Sequence, residues 1–131
     1  MEISTGFTSA EIDALKPGSA TDMLVGHHLF RLQPYRAHDT PDVPGYQGKG
    51  PKKGWQILPR YSVDGPAMLE LLGLLLAKNI AVEMSSNAWE VRLLFRDRGK
   101  GGVDGVSARW LGTLNDLPLA LCQAALKLPY L

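Results

Sequence analysis

The sequence predicts an α+β fold in which a three-stranded antiparallel meander packs against helices in an α/β sandwich. Three patterns carry this prediction: helical spacing of apolar residues before residue 33, alternation of apolar and polar residues between 80 and 111, and an i, i+4 apolar stripe after residue 116. A small sheet with one apolar face needs helices on that face to bury it. The predicted order is three helices, three strands and a final helix, with a long loop before the third helix.

Length and composition set the broad class. The 131 residues suit a single domain, 1–131, that buries a core without disulfides or structural metals. The composition of the chain, with 45% hydrophobic and 21% charged residues, excludes the disordered and coiled-coil classes. A net charge of +1 makes a duplex nucleic-acid partner unlikely, and Cys122 is interpreted as a reduced core thiol. No signal pattern or membrane-length apolar run is present, so we expect a cytoplasmic protein with no membrane partner.

The first two helices have recognisable ends. Thr8 followed by Glu11 is a capping box, and the Lys-Pro-Gly sequence at 16–18 ends that helix after about two turns. Ser19 is expected to cap a second helix that ends before Pro34. The spacing of its apolar residues predicts that one face of this helix lies in the core.

Residues 33–59 are predicted to form a long loop rich in glycine, proline and lysine. Helical and strand periodicity both stop there, and the segment holds five prolines and four glycines. Loops of this length without structure of their own are usually functional or disordered. Because disordered segments are poor in aromatic residues, we expect the end from Trp55 to Leu58 to dock on the protein.

The third helix is the strongest in the sequence. Ser62 with Asp64 predicts its start, and Lys78-Asn79 predicts its end. Leucines surround most of its circumference between 69 and 76, so we expect it to be buried on more than one side. Two thin layers would leave part of it uncovered, which predicts a homo-oligomer, most simply a dimer.

The strands are predicted at 80–85, 89–96 and 106–111, each with apolar residues at every second position. Asn115 or Asp116 is expected to cap the last helix, where Pro118 fits the first turn.

Motifs for catalysis or metal binding are weak. His27 and His28 point about 100° apart on a helix and cannot chelate one ion. The glycine- and lysine-rich segment 48–54 lacks the Ser or Thr that follows the lysine of a phosphate-binding P-loop. We therefore assign no catalytic residue, no metal and no cofactor, and we expect a protein that is not an enzyme.

Basic and aromatic residues point instead to binding. Most lysines and arginines fall within 49–60 and 92–109. Guanidinium groups pair with phosphate and aromatic faces stack on bases, although a solvated sheet face predicts the same alternation. The candidate ligand-binding residues are Arg60, Arg96, Arg109, Trp110, Trp55, Lys52 and Lys53.

Four segments of the sequence form a recognisable set: Leu15 to Gly18 with Asp22 and Val25, Tyr61-Ser62-Val63-Asp64, Trp89 with Val91, and Leu117 to Leu126. Together they resemble the phage ABA-sandwich domain family. The resemblance covers nearly the whole chain outside 33–58. The family usually has Thr in place of Val63 and a short Trp-rich segment in place of the long insertion. It implies a small phage or prophage protein with a layered α/β sandwich, and it transfers no catalytic residues.

Two functions fit these observations. The first is a non-enzymatic phage protein that binds or sequesters a small anionic, nucleotide-like ligand as a counter-defence protein in the cytoplasm of the bacterial host. The alternative is a protein-interaction module that engages a host or phage protein through the long loop and the leucine-rich helix.

Overall fold

The computed structural model describes residues 3–38, 40–49, 51, 53–85, 89–96 and 101–129. Within these ranges the chain forms four helices and two three-stranded antiparallel sheets, which confirms the predicted α+β class. None of these helices is long and apolar enough to cross a lipid bilayer. The order differs from the prediction because three additional strands precede the third helix.

The elements are α1 Ser9–Asp13, α2 Ser19–His28, β1 Tyr35–Ala37, β2 Thr40–Gly48, β3 Gly54–Ile57, α3 Gly65–Ala77, β4 Ala81–Ser85, β5 Glu90–Arg96, β6 Val103–Arg109 and α4 Leu117–Leu126. β2 is the middle strand of the first sheet and β5 is the middle strand of the second.

Much of the segment 33–59 is a sheet, so the prediction of a long loop was wrong. β1 pairs with the first part of β2, from Thr40 to Gly45, and β3 pairs with the end of β2, from Gly45 to Gly48. Proline is tolerated because its carbonyl still accepts: Pro44 O receives the N–H of Leu58 at 2.9 Å. Leu58 is 2% exposed and docks on the core, whereas Trp55 and Ile57 are 37% and 66% exposed, so the docking expected for 55–58 is confirmed only at its last residue.

The second sheet follows the predicted alternation. Val91, Leu93 and Phe95 of β5 are buried, whereas the arginines between and after them are exposed. The third strand begins and ends earlier than predicted, because Gly105 continues the strand where a turn was expected. An added Cβ at Gly105 would lie 3.0 Å from a methyl carbon of Leu94, so the missing side chain makes room for a cross-strand neighbour.

α4 covers the apolar face of the second sheet. All ten of its residues except Leu119 are buried, and the helix contacts β5 and β6. Pro118 lies in the first turn as predicted, and Asp116 is the N-cap residue without a side-chain bond. The main core therefore lies between α4 and this sheet.

α3 buries one face only, which corrects the expectation of burial on several sides. Ala67, Leu71 and Leu75 face the core, whereas Leu69 and Leu76 are 59% and 56% exposed. A uniformly apolar sequence does not reveal which side of a helix lacks a neighbour.

The predicted caps are borne out in part. Thr8 and Glu11 form the capping box of α1, and the Asp64 carboxylate caps α3 by accepting from the N–H of Ala67. The N-cap of α2 is Gly18 rather than Ser19.

Candidate functional site

A cleft of about 550 Å³ opens beside the first sheet, between the segment that follows α2 and the edge of β2. We call it the aromatic cleft. Residues 30–33 form one wall, and Tyr35, Tyr46, Gln47 and Lys49 form the other. Its volume lies within the range of about 300–1,000 Å³ that is typical of small-molecule sites.

The first wall turns back on α2. Arg31 has a φ of 59°, and the N–H of Leu32 donates to the carbonyl of Gly26 at 3.0 Å. Phe30 stacks on the buried ring of Tyr61, with centroids 4.8 Å apart and planes 14° from parallel. A rigid aromatic floor therefore supports this side of the cleft.

The second wall exists because β1 is shorter than β2. Tyr35 pairs with Gly45, and β2 continues beyond that point without β1 beside it. The Tyr35 hydroxyl accepts from Nε2 of Gln47 at 3.2 Å. The start of β1 and the exposed edge of β2 thus present the Tyr35 hydroxyl and the Gln47 amide to the cleft.

Trp55 supports this wall from the sheet face. It pairs with Gln47 across β2 and β3, and its ring meets that of Tyr35 edge to face, with centroids 5.0 Å apart. The indole lies over Gly45, where a Cβ would overlap the six-membered part of the ring. The glycine is therefore required for this arrangement of aromatic residues.

Two lysines lie at the end of the same hairpin. Lys49 lines the cleft, and Lys53 immediately precedes β3; both are exposed. Lys52 lies outside the described residues. Of the candidate residues predicted from sequence, Trp55 and Lys53 are thus close to the aromatic cleft.

The structure does not bring the other four candidates together. Arg96 and Arg109 lie at opposite ends of the β5–β6 ladder, six residues or about 20 Å apart along the strand. Trp110 is half-buried and its Nε1 donates to the carbonyl of Thr113. Arg60 lines a different cleft.

This second cleft has a volume of about 380 Å³ and contains Asp22, Asp42 and Arg60. Asp22 is 3% exposed, and its Oδ1 accepts from the N–H and the hydroxyl of Ser62 at 2.8 and 2.6 Å. Burial raises the pKa of Asp22, while these hydrogen bonds and the charge of Arg60 act to lower it. Because the pair is satisfied internally, it joins α2 to the turn before α3 rather than presenting a reactive group.

The described residues hold no cluster of three or more His, Cys, Asp or Glu side chains placed to bind a metal. Cys122 is fully buried, and burial together with the nearby Asp22 raises the pKa of its thiol. A thiol in this environment is a poor nucleophile.

The residues that sequence reasoning missed are the tyrosines and amides of the cleft. A weak signal was present, because residues that favour strands recur at Val43, Tyr46, Trp55 and Ile57. The glycines and prolines of the segment outweighed this signal.

Comparison with protein families, with curated proteins and with solved structures finds no match to this chain. The function is therefore inferred from the geometry of the aromatic cleft.

Proposed function

We propose that the protein binds a small ligand that combines a planar ring with an anionic group, as a nucleotide does. One observation carries the proposal: the aromatic cleft places three aromatic side chains, two amide side chains and two cationic side chains around one space of about 550 Å³. Sites for small molecules combine an apolar lining with a few polar groups that orient the ligand. The proposal assigns binding and no chemical step.

Different residues of the cleft suit different parts of the ligand. Phe30 and Tyr46 offer apolar ring surface, and Gln33 and Gln47 offer both donors and acceptors to a heterocycle. Lys49 lies towards the hairpin end and suits a phosphate or carboxylate. The Tyr61 ring behind Phe30 keeps this apolar surface in place.

The resemblance to the phage ABA-sandwich domain, with its layered arrangement, leads us to propose a biological role for this binding. A small phage protein with such a cleft would sequester a nucleotide signal of its host and so oppose a defence response. A binding protein suffices for that role, because sequestration requires affinity and stoichiometry rather than turnover.

A thermal-shift panel of mono-, di- and cyclic nucleotides tests the proposal. A ligand present at about one hundred times its dissociation constant stabilises the fold by about 2.7 kcal/mol, a shift of several degrees. Lys49→Ala should weaken binding at least tenfold because it removes a charge-assisted contact. Lys16→Ala, an exposed lysine on the α1–α2 connection, is the matched control and should leave the shift unchanged.

Two results would contradict this function. The first is a wild-type protein that no nucleotide stabilises. The second is a shift that Lys49→Ala and Lys16→Ala leave equally intact, since the cation of the cleft would then play no part.

We propose protein interaction as the second candidate function, because α3 exposes Leu69 and Leu76 on its outer face. The two side chains are two helical turns apart and form one apolar stripe. Self-association through this stripe would give the expected homo-oligomer. Sedimentation at micromolar concentration should then exceed one chain mass, and Leu69→Glu should restore a mass of 14.3 kDa.

A further inference from the structure

We infer that the aromatic cleft is one end of a longer surface that binds a short single-stranded nucleic acid across the exposed face of the first sheet. This inference rests on the proposed function and specifies its ligand class. It arises from the residues beside the cleft rather than from those inside it.

The aromatic surface continues beyond the cleft. Tyr35 lines the cleft and also contacts Trp55, which lies outside it. The two residues are 41% and 37% exposed, and strand pairing places both on the same face of the sheet. A mononucleotide in the cleft would leave Trp55 unused, whereas a second base has a ring to stack on there.

This face of the sheet is largely open to solvent. Val43 and Ile57 on the same face are 43% and 66% exposed, although they border the second cleft beside the start of α2. The opposite face carries buried Pro44 and half-buried Tyr46, and Tyr46 packs against the core. An open sheet face with exposed aromatic residues is a common way for proteins to stack two or three unpaired bases.

Charge favours a nucleic acid over an apolar partner. Lys49 and Lys53 are exposed at the hairpin end of this face, where they can contact the phosphates that link stacked bases. Asp42, exposed at the opposite end of β2, limits the footprint to the hairpin half. The surface therefore suits roughly two or three nucleotides. A net charge of +1 is compatible with so few phosphate contacts.

Fluorescence anisotropy with labelled oligodeoxythymidylates tests the inference. Affinity should rise about tenfold or more from the mononucleotide to the tetranucleotide, because each added stacked base contributes, and then level off for longer oligomers. The logarithm of the binding constant should fall with the logarithm of salt concentration with a slope of about −1.4, as expected for about two phosphates on a single strand. A duplex of the same length should bind more weakly.

Single substitutions distinguish the contribution of base stacking to affinity from that of the lysine charges. Trp55→Ala should reduce tetranucleotide affinity about tenfold more than mononucleotide affinity, whereas Trp89→Ala, at a more exposed tryptophan immediately before β5, should change neither. Lys53→Ala should make the salt slope shallower by about 0.7. Circular dichroism of each variant checks the fold, and Lys53→Ala supplies the test if Trp55→Ala does not fold.

The outcomes distinguish the two proposals. If the mononucleotide binds as tightly as the tetranucleotide, the extended surface is wrong and the small-ligand function remains. If neither binds, both are wrong. If the duplex binds as tightly as the single strand, stacking of unpaired bases does not operate and the inference is overturned.

Discussion

Asp22 and Ser62 are 40 residues apart in the sequence and share two hydrogen bonds in the interior of the protein. The N–H and the hydroxyl of Ser62 both donate to Oδ1 of Asp22, and the N–H of Gly18 donates to the same hydroxyl. The start of α2 is thereby fixed to the turn that leads into α3. The first sheet lies between these two points of the chain.

Asp22→Asn should reveal how the buried carboxyl makes the stability of the protein depend on pH. Burial raises its pKa above the ordinary value of 3.8, so the native state holds this proton more tightly than the unfolded state. Its contribution to stability is therefore complete below pH 3.8 and is lost as pH rises through the raised pKa. Since asparagine does not titrate, the free energy of unfolding of the wild type minus that of the variant should fall over this window.

Urea unfolding of both proteins at several pH values measures this difference, and the other carboxyl groups cancel in the subtraction. A difference that rises with pH would mean that the Ser62 hydrogen bonds outweigh the cost of burial.

Gly45→Ala should destabilise the protein by about 1–3 kcal/mol, because the new methyl group overlaps the Trp55 ring and the carbonyl of Gln56. Gly73→Ala is the matched control: the site on α3 has open space, so the same change should stabilise the helix by about 0.5–1 kcal/mol. Chemical unfolding measures both. If Gly45→Ala is neutral, the indole does not lie over residue 45.

Lys127→Ala should cost more than Asp13→Ala. Lys127 is 8% exposed, and its Nζ donates to the Ser107 carbonyl at 2.7 Å and pairs with Asp13 at 2.6 Å. The substitution removes the packing of the buried lysine side chain and the hydrogen bond to the Ser107 carbonyl. The free energy of unfolding should therefore fall by about 2 kcal/mol. The side chain of Asp13 is 52% exposed, so its loss should cost less than about 1 kcal/mol. Equal losses in urea unfolding would show that the ion pair itself dominates.

Cys122 should resist thiol reagents while the protein is folded. The side chain is 0% exposed and burial raises its pKa. A reagent therefore cannot reach the sulfur, and the thiol is not in its reactive thiolate form. We expect a disulfide reagent to label the thiol at the rate of unfolding in buffer and rapidly in concentrated urea. Rapid labelling in buffer would mean that α4 opens locally.

Local signals in the sequence were enough to predict some elements. The capping box at Thr8 and Glu11 needs only those two side chains, and the alternation around Val91 and Leu93 specifies a half-buried strand. The first sheet was missed because Pro44 and its neighbours favour turns, and its stability comes from cross-strand pairing that a single segment does not display.

The same limit applies to the site. Alternation correctly placed Arg96 and Arg109 on exposed strand positions, yet it carries no information about distance along a ladder. Trp55 and Lys53 were found near the cleft because a short hairpin keeps sequence neighbours together in space. Tyr35 joins them through the pairing of β1 with β2, which could not be inferred from composition.

The internal link between Asp22 and Ser62 also has an evolutionary consequence. Because it brings together the positions where the chain departs from the helical core and returns to it, the intervening hairpins can change in length and sequence while the core keeps its shape. Mutations that alter ligand recognition would then accumulate between residues 33 and 59, and mutations that alter the stability of the fold would accumulate around α4. A protein divided in this way can acquire a new ligand without first losing its stability.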